Sequence, residues 1–271
     1  MIVSDIENPF FSLLLAGITK VLEQQSYEIL LAPGGVTAAT QRAMMDAVID
    51  HQMDGLILVS PRASGAELEL IASRIPVVLV GRHSKSEMLD SVSGDDDLGA
   101  RLVVDHFVAL GHERIAFLTH HNSADDASFP ETRRAHGYLS AMARHGLRGQ
   151  LIPGAWNLEG GRAAARLLPT LSPRPTAVHA GADIAAFGLM SEIWGQDEVR
   201  AVSLAGYDNS PLSSVGPISL TTVDQSGIEM GGRAAQLLLE RITGTEPSRH
   251  ELMTPTLVVR SSSRPPQKEY P

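Results

Sequence analysis

Apolar positions along this chain follow two rhythms that alternate from one end to the other. Short runs of continuous aliphatic residues read as strands buried on both faces. The longer stretches between them repeat apolar side chains every three to four positions, as one face of a helix does. Ile2-Val3 is the first run. Asn8 and Pro9 then open a predicted helix on which Phe11, Leu14, Leu15, Ile18, Val21 and Leu22 share a face. Further strands are expected at Tyr27 to Leu31, Gly55 to Val59 and Pro76 to Val80, with helices over Thr37 to His51 and Leu68 to Arg74 between them.

The second half repeats the scheme. Helices are predicted over Asp95 to Leu110, Arg134 to His145, Gly160 to Leu168 and onward from Asp183, with strands at Ile115 to Leu118, Ala177 to His179 and Ala201 to Leu204. Ser226 and Glu229 have the spacing of a capping box and open a helix that runs to Ile242 and stops at Gly244, ahead of a short strand at Leu257 to Val259. Serial strand–helix units with strands apolar throughout imply an α/β fold of two doubly wound parallel sheets.

Composition narrows the function classes. The chain has 271 residues, 43% hydrophobic but only 4% aromatic, so its cores are aliphatic. Its 22 basic and 31 acidic residues give a net charge of −9, unfavourable for binding phosphate backbones. With no cysteine, disulfides, thiolate nucleophiles and thiolate metal sites are excluded. No apolar run approaches the roughly 18 residues a membrane span needs, and no basic segment precedes an apolar one at the start, so a cytoplasmic location without membrane contact is expected.

The familiar catalytic signatures are missing: no G-x-G-x-x-G follows a strand, and neither a phosphate-binding G-x-x-x-x-G-K-[ST] nor a G-x-S-x-G elbow is present. Asp95-Asp96-Asp97 invites a metal reading, but consecutive residues cannot all face one ion, and an acidic run suits a helix N-terminus. His120-His121 lacks the partners a zinc site requires. No metal and no cofactor is expected, and no enzyme activity. What remains is a set of polar and aromatic residues at strand-to-helix junctions, where open α/β sheets bind ligands: Asp5, Asn8, Phe10, Phe11, Asp95, Arg134, Trp156, Asp183 and Asp208. Carboxylates and a guanidinium beside aromatic rings suit a polyol, gripping hydroxyls while the rings cover its apolar face.

At these residues the chain resembles the lactose/galactose repressor (LacI/GalR) family of bacterial transcriptional regulators. The likeness is carried by DIENPFFSLLLAGI (5–18), DGLILVSP (54–61), IPVVLVGR (75–82), DDDLGARLVVDHFVALGHERIAFL (95–118) and RRAHGYLSAM (133–142). It continues through ADIAAFGLM (182–190), VSLAGYDNSPLSS (202–214), ISLTTVDQSGIEMGGRAAQLLLERITG (218–244) and LVVRSSS (257–263), in the family's order. The resemblance implies a type I periplasmic-binding-protein-like fold: an N-subdomain of 1–111 plus 226–252 and a C-subdomain of 112–225 plus 253–271, joined by three crossovers. It implies a small effector, a sugar or related polyol, bound in the cleft by Phe10, Phe11, Asp95, Arg134, Trp156, Asp183, Asp208 and Gln225. Arg134 and Asp208 are expected to read adjacent hydroxyls. Truncating Arg134 should then weaken ligand binding while leaving the empty fold nearly as stable.

Ala182 stands where the family usually has Asn, which removes one amide from the expected ligand shell. The resemblance also implies a homodimer, and operator DNA reached only through a helix-turn-helix headpiece that these residues do not include. A periplasmic sugar-binding protein feeding a transporter is the alternative. The GHERIAFL and LTTVDQ blocks and the LVVR ending favour the regulator.

Overall fold

The structure, a computed structural model, describes residues 1–35, 37–120, 126–193, 202–244 and 247–267. His121 and Ala201 lie outside the described residues, as does the end of the chain beyond 267. In order, the first half holds β1 (Ile2–Val3), α1 (Phe10–Leu22), β2 (Ala32–Pro33), α2 (Ala38–Asp50), β3 (Leu56–Val59), α3 (Gly65–Ala72), β4 (Val77–Val80) and β5 (Asp90–Gly94). There follow α4 (Asp96–Ala109), β6 (Ile115–His120), α5 (Pro130–Arg144), β7 (Gln150–Gly154), α6 (Leu158–Leu167), β8 (Ala177–Ala180) and α7 (Asp183–Ile193). The last elements are β9 (Ser203–Tyr207), β10 (Thr221–Asp224), α8 (Gly227–Thr243), β11 (His250–Met253) and β12 (Thr256–Val258).

These strands form two six-stranded sheets, ordered β11-β5-β4-β3-β1-β2 and β12-β10-β9-β8-β6-β7. Every pairing is parallel except that of β12 with β10. The chain divides into two compact units. The first comprises Met1–Gly94, Ala127–Pro130 and Ser226–Met253; the second comprises Asp95–Asp126, Glu131–Gln225 and Thr254–Pro271.

In the first unit, α1 and α8 cover one face of the sheet, where Leu14, Ile18, Met230, Ala234 and Leu238 close over Val3, Ile57, Val59, Val78, Val80 and Val92. The opposite face is filled by Met45 and Val48 of α2 and Leu68 and Ile71 of α3. Gly17 and Gly231 let α1 and α8 approach to backbone contact: a Cβ on Gly17 would lie 1.9 Å from the Ile228 carbonyl oxygen, and one on Gly231 2.2 Å from that of Leu14. In the second unit, Ala164 of α6 with Ala185, Ala186 and Leu189 of α7 pack on Ala116, Leu118 and Val178. Val103 and Phe107 of α4 and Tyr138 and Met142 of α5 cover Ile115, Phe117, Ala205, Tyr207 and Val223 on the other face.

The structure departs from the sequence reading in several places. The sequence reading takes the N-subdomain through residue 111, but α4 buries Ala100, Val103, Val104 and Phe107 in the second unit. Besides the passages at 94–95, 225–226 and 253–254, the chain makes a short excursion at 127–130 into the first unit, where the guanidinium groups of Arg62 (4.9 Å) and Arg82 (4.3 Å) lie over the Phe129 ring. The strand expected at Tyr27 to Leu31 is displaced to Ala32–Pro33: Tyr27 and Ile29 pack against the core, and ladder pairing with β1 begins only at Ala32. Ser226 adopts a left-handed conformation (φ 55°) and its hydroxyl caps nothing, so α8 begins without the expected capping box. A complete box is found instead at Ser64 and Glu67, opening α3.

Candidate functional site

Six sequence-selected residues belong to the second unit, at or near junctions where its strands end and helices begin: Asp95, Arg134, Trp156, Asp183, Asp208 and Gln225. Arg134, in the second turn of α5, is the centre of the group. Its guanidinium is buried (5% exposed), donates from Nε to Asp96 Oδ1 at 2.7 Å and from Nη1 to the Gly181 carbonyl at 2.7 Å. The same guanidinium lies over the Tyr207 ring at 3.5 Å and faces the Trp156 ring at 5.0 Å. Burial opposes its charge, but Asp96, Tyr207 and Asp208 more than compensate and raise its pKa above the ordinary arginine value.

Trp156 follows β7 and is held from two sides. Its indole N–H donates to the Leu118 carbonyl at 3.0 Å, and its ring rests on Gly181, where a Cβ would meet it at 2.1 Å. His120, at the end of β6, stands edge-on to the indole at 5.8 Å. A layered wall results, in which rings and the guanidinium present faces rather than chain ends.

Asp208 follows β9 in a backbone conformation side chains rarely adopt (φ 117°), with Asn209 left-handed after it (φ 48°). Strain of this kind persists where the surroundings over-determine it, and it concentrates at binding sites. The surroundings are specific. Gln225, after β10, donates from Nε2 to Asp208 Oδ1 at 2.7 Å, while Asn209 donates to Asp224 and accepts from Arg260 at 2.7 Å. The structure therefore brings Arg134, Trp156, Asp208 and Gln225 into one neighbourhood, with Arg134 and Asp208 each engaged by other partners.

Asp95 and Asp183 play different parts. Asp95 is the N-cap of α4, its carboxylate accepting the Leu98 N–H at 3.0 Å, so the guanidinium partner is Asp96, one residue later. Asp183 is buried and accepts from the Ser210 N–H (2.8 Å), the Ser210 hydroxyl (2.9 Å) and the Thr222 hydroxyl (2.6 Å). Burial pushes its carboxyl up to about 6, against the pull of those hydrogen bonds. It ties α7 to β9 and β10. Phe10 and Phe11 belong to the first unit; Phe10 is buried in its core against Gly227, and Phe11 keeps a partly exposed ring 6.2 Å away.

Sequence reasoning missed Asp96, Tyr207 and His179. An N-cap carboxylate is spent on its own helix, which leaves the second aspartate of the run to meet the guanidinium. His179 and Tyr207 stack at 6.3 Å, with Phe117 edge-on to His179 at 5.0 Å. Both His179 nitrogens and the Tyr207 hydroxyl are buried without a hydrogen-bond partner among the described residues. Burial, reinforced by Arg134, holds His179 neutral with a pKa of about 3. Among the described residues no group of three or more His, Asp or Glu is placed to hold a metal ion, and no helix is long and apolar enough to cross a membrane.

Comparison with known proteins adds an independent line. Residues 104–263 match the periplasmic binding protein-like domain family. The chain is similar to the HTH-type transcriptional regulator MalR of Streptomyces coelicolor (31% identity, covering 97% of this chain and 79% of that protein). It is similar also to the HTH-type transcriptional repressor CytR of Escherichia coli (29% identity, 97% and 78%). Among solved structures it superposes on a LacI transcriptional regulator from a Rhodococcus species with a TM-score of 0.88 at 28% identity, covering 97% of each chain. A LacI family regulator of Enterococcus faecium with bound ribose gives a TM-score of 0.84 at 27% identity, covering 98% of each.

Proposed function

The chain belongs to the LacI/GalR family of transcriptional regulators, and from that premise we propose that it is an effector-binding and dimerisation core that reads a small sugar-like molecule. The observation that carries the reading is the convergence of Arg134, Trp156, Asp208 and Gln225 at one end of the second sheet. A guanidinium donates, a carboxylate accepts, and an indole face covers apolar ring carbons, which together suit a polyhydroxylated ring. Phe10 and Phe11 enter the proposal through the family resemblance.

Regulation follows from differential affinity. An effector that binds one arrangement of the protein better than another shifts the population toward it, and a regulator of this kind passes the shift to its operator-reading segment. In this reading operator DNA is contacted by a headpiece outside these residues, consistent with their net charge of −9. The homodimer and a cytoplasmic location belong to the same proposal. The transporter alternative is set aside because the relatives compared are regulators.

A thermal-shift screen of pentoses, hexoses, disaccharides and nucleosides tests the reading, since a ligand that binds the native state raises its melting temperature. A shift that is lost in Asp208→Asn, with the empty protein's melting unchanged, is the expected result. A ligand whose shift is unaffected by that substitution and by Gln225→Ala would place binding elsewhere.

A further inference from the structure

We propose that the effector read by this face is uncharged, and that phosphorylated or otherwise anionic small molecules are excluded from it; the inference rests on the effector reading above. Doubly wound sheets bind phosphates at helix N-termini, where unsatisfied N–H groups and the helix dipole attract negative charge. In the second unit the first turns of α4, α5, α6 and α7 each carry a carboxylate, and at α4 a further one, that of Asp95, is bonded to the helix's own N–H. Asp95 caps α4 by accepting the Leu98 N–H, with Asp96 following in the first turn. Glu131 occupies the first turn of α5 and is buried; Asp183 occupies that of α7, fully engaged with Ser210 and Thr222; Glu159 occupies that of α6. A phosphate approaching any of these termini would meet a like charge in the first turn, and at α4 a cap already in place.

Arg134 does not reverse this balance. Asp96 sits 2.7 Å from its Nε, and Asp208 acts on the same guanidinium from the end of β9. Tyr207, beneath the guanidinium, feels the charges of Asp96, Asp208 and Asp95. Asp96 and Asp208 thus both act on this one guanidinium. An incoming phosphate would bring a like charge toward Asp208 in a water-poor setting, where repulsion is strong. A neutral polyol meets no such penalty. It finds an acceptor in Asp208, a flat apolar surface in Trp156, and a donor in Arg134 Nη2, the edge of the guanidinium with no described hydrogen bond.

The indole N–H of Trp156, next to Arg134, is a built-in reporter. In 15N-labelled protein its signal is separated from that of Trp194, the chain's other tryptophan, by Trp194→Phe. Three probes are titrated at constant ionic strength: inorganic phosphate, ribose and ribose 5-phosphate, followed by a panel of neutral sugars and their phosphate esters. The expected result is no saturable shift with phosphate, and binding of any phosphate ester at least about tenfold weaker than that of its neutral parent. A saturable shift with phosphate, or an ester that binds as tightly as its parent, overturns the inference while leaving the effector reading in place. If neither neutral nor anionic probes move the signal, the effector reading fails and the inference, which rests on it, falls with it.

Discussion

Arg134 and Asp96 form an ion pair in which both side chains are almost wholly buried, with Nε 2.7 Å from Oδ1 and side-chain exposures of 6% and 2%. The sequence reading treats Arg134 as a ligand contact whose loss leaves the empty fold intact. The pair makes it structural as well. Removing one partner of a buried pair strands the other charge, which typically costs about 3–5 kcal/mol. Arg134→Ala is therefore expected to lower apo stability by that amount in urea unfolding. Arg134→Ala combined with Asp96→Ala should recover part of the loss, because the carboxylate that the guanidinium paired goes with it. Equal losses in the single and double variants would count against the pair.

Asp208 offers the cleaner separation of binding from folding. Asp208→Asn keeps an oxygen for the Gln225 Nε2 donor, so apo stability should change by less than about 1 kcal/mol. Effector affinity should fall by about 2–5 kcal/mol if Asp208 holds a ligand hydroxyl. Calorimetric titration with whichever sugar emerges from the thermal screen, alongside apo unfolding, measures both.

His179 gives the fold an acid-sensitive term with a definite sign. Its pKa is about 3 in the native protein and 6.5 when unfolded, so the unfolded state takes up a proton first as pH falls. Stability from this residue is complete above pH 6.5 and is lost between 6.5 and 3, by about 1.4 kcal/mol per pH unit. Asp183 works in the opposite direction. With a native pKa of about 6 against 3.8, it adds stability as pH falls through that window and loses it as pH rises. The two offset one another between about pH 6 and 4. His179→Phe removes the first term and two unsatisfied buried nitrogens. Compared with the parent, its stability at pH 4.5 relative to pH 7.5 should be about 2–3 kcal/mol better. A variant whose pH profile parallels the parent's would show that His179 is not held neutral.

The helix contact in the first unit is equally exposed to test. A methyl at Gly17 would meet the Ile228 carbonyl at 1.9 Å, and a backbone oxygen cannot step aside. Gly17→Ala should cost about 1–3 kcal/mol, against the small gain expected for Gly→Ala in an open helix. Denaturant unfolding of Gly17→Ala beside Gly65→Ala, where nothing lies within 4 Å, provides the contrast.

How far the sequence could be read follows the physics of each element. Strands such as Leu56–Val59 and Val77–Val80 are apolar because both faces are covered, so pattern alone finds them. The strand Asp90–Gly94 is just as buried but reads as polar: Asp90 is held by Arg241, and Ser91 bonds His250 of the neighbouring strand. Its partners come from about 150 positions away, beyond any local pattern. The edge strands Gln150–Gly154 and His250–Met253 were missed because they are only partly covered. At the site, residue types at strand ends pointed to Arg134, Trp156 and Asp208, and Gln225 came only from the family resemblance. Choosing Asp96 over Asp95 needed the cap geometry, and the roles of Tyr207 and His179 needed the packing.

The last segments of the chain complete both units, and that order has a consequence during synthesis. The apolar face of the helix at Phe10–Leu22 is covered by the helix at Gly227–Thr243, made about 200 residues later. At about 5–20 residues per second, roughly 10–40 s pass before that cover leaves the ribosome. The second sheet waits longer still, because Thr256–Val258 closes one edge and Ser262 then bonds back to Leu204 and Ser219. The first unit cannot finish until the second has been made through Gln225, so a nascent chain carries open Leu14 and Ile18 positions through most of translation. Ribosome-stalled chains ending just before residue 227 are where a holdase chaperone would find its longest-lived target in this protein.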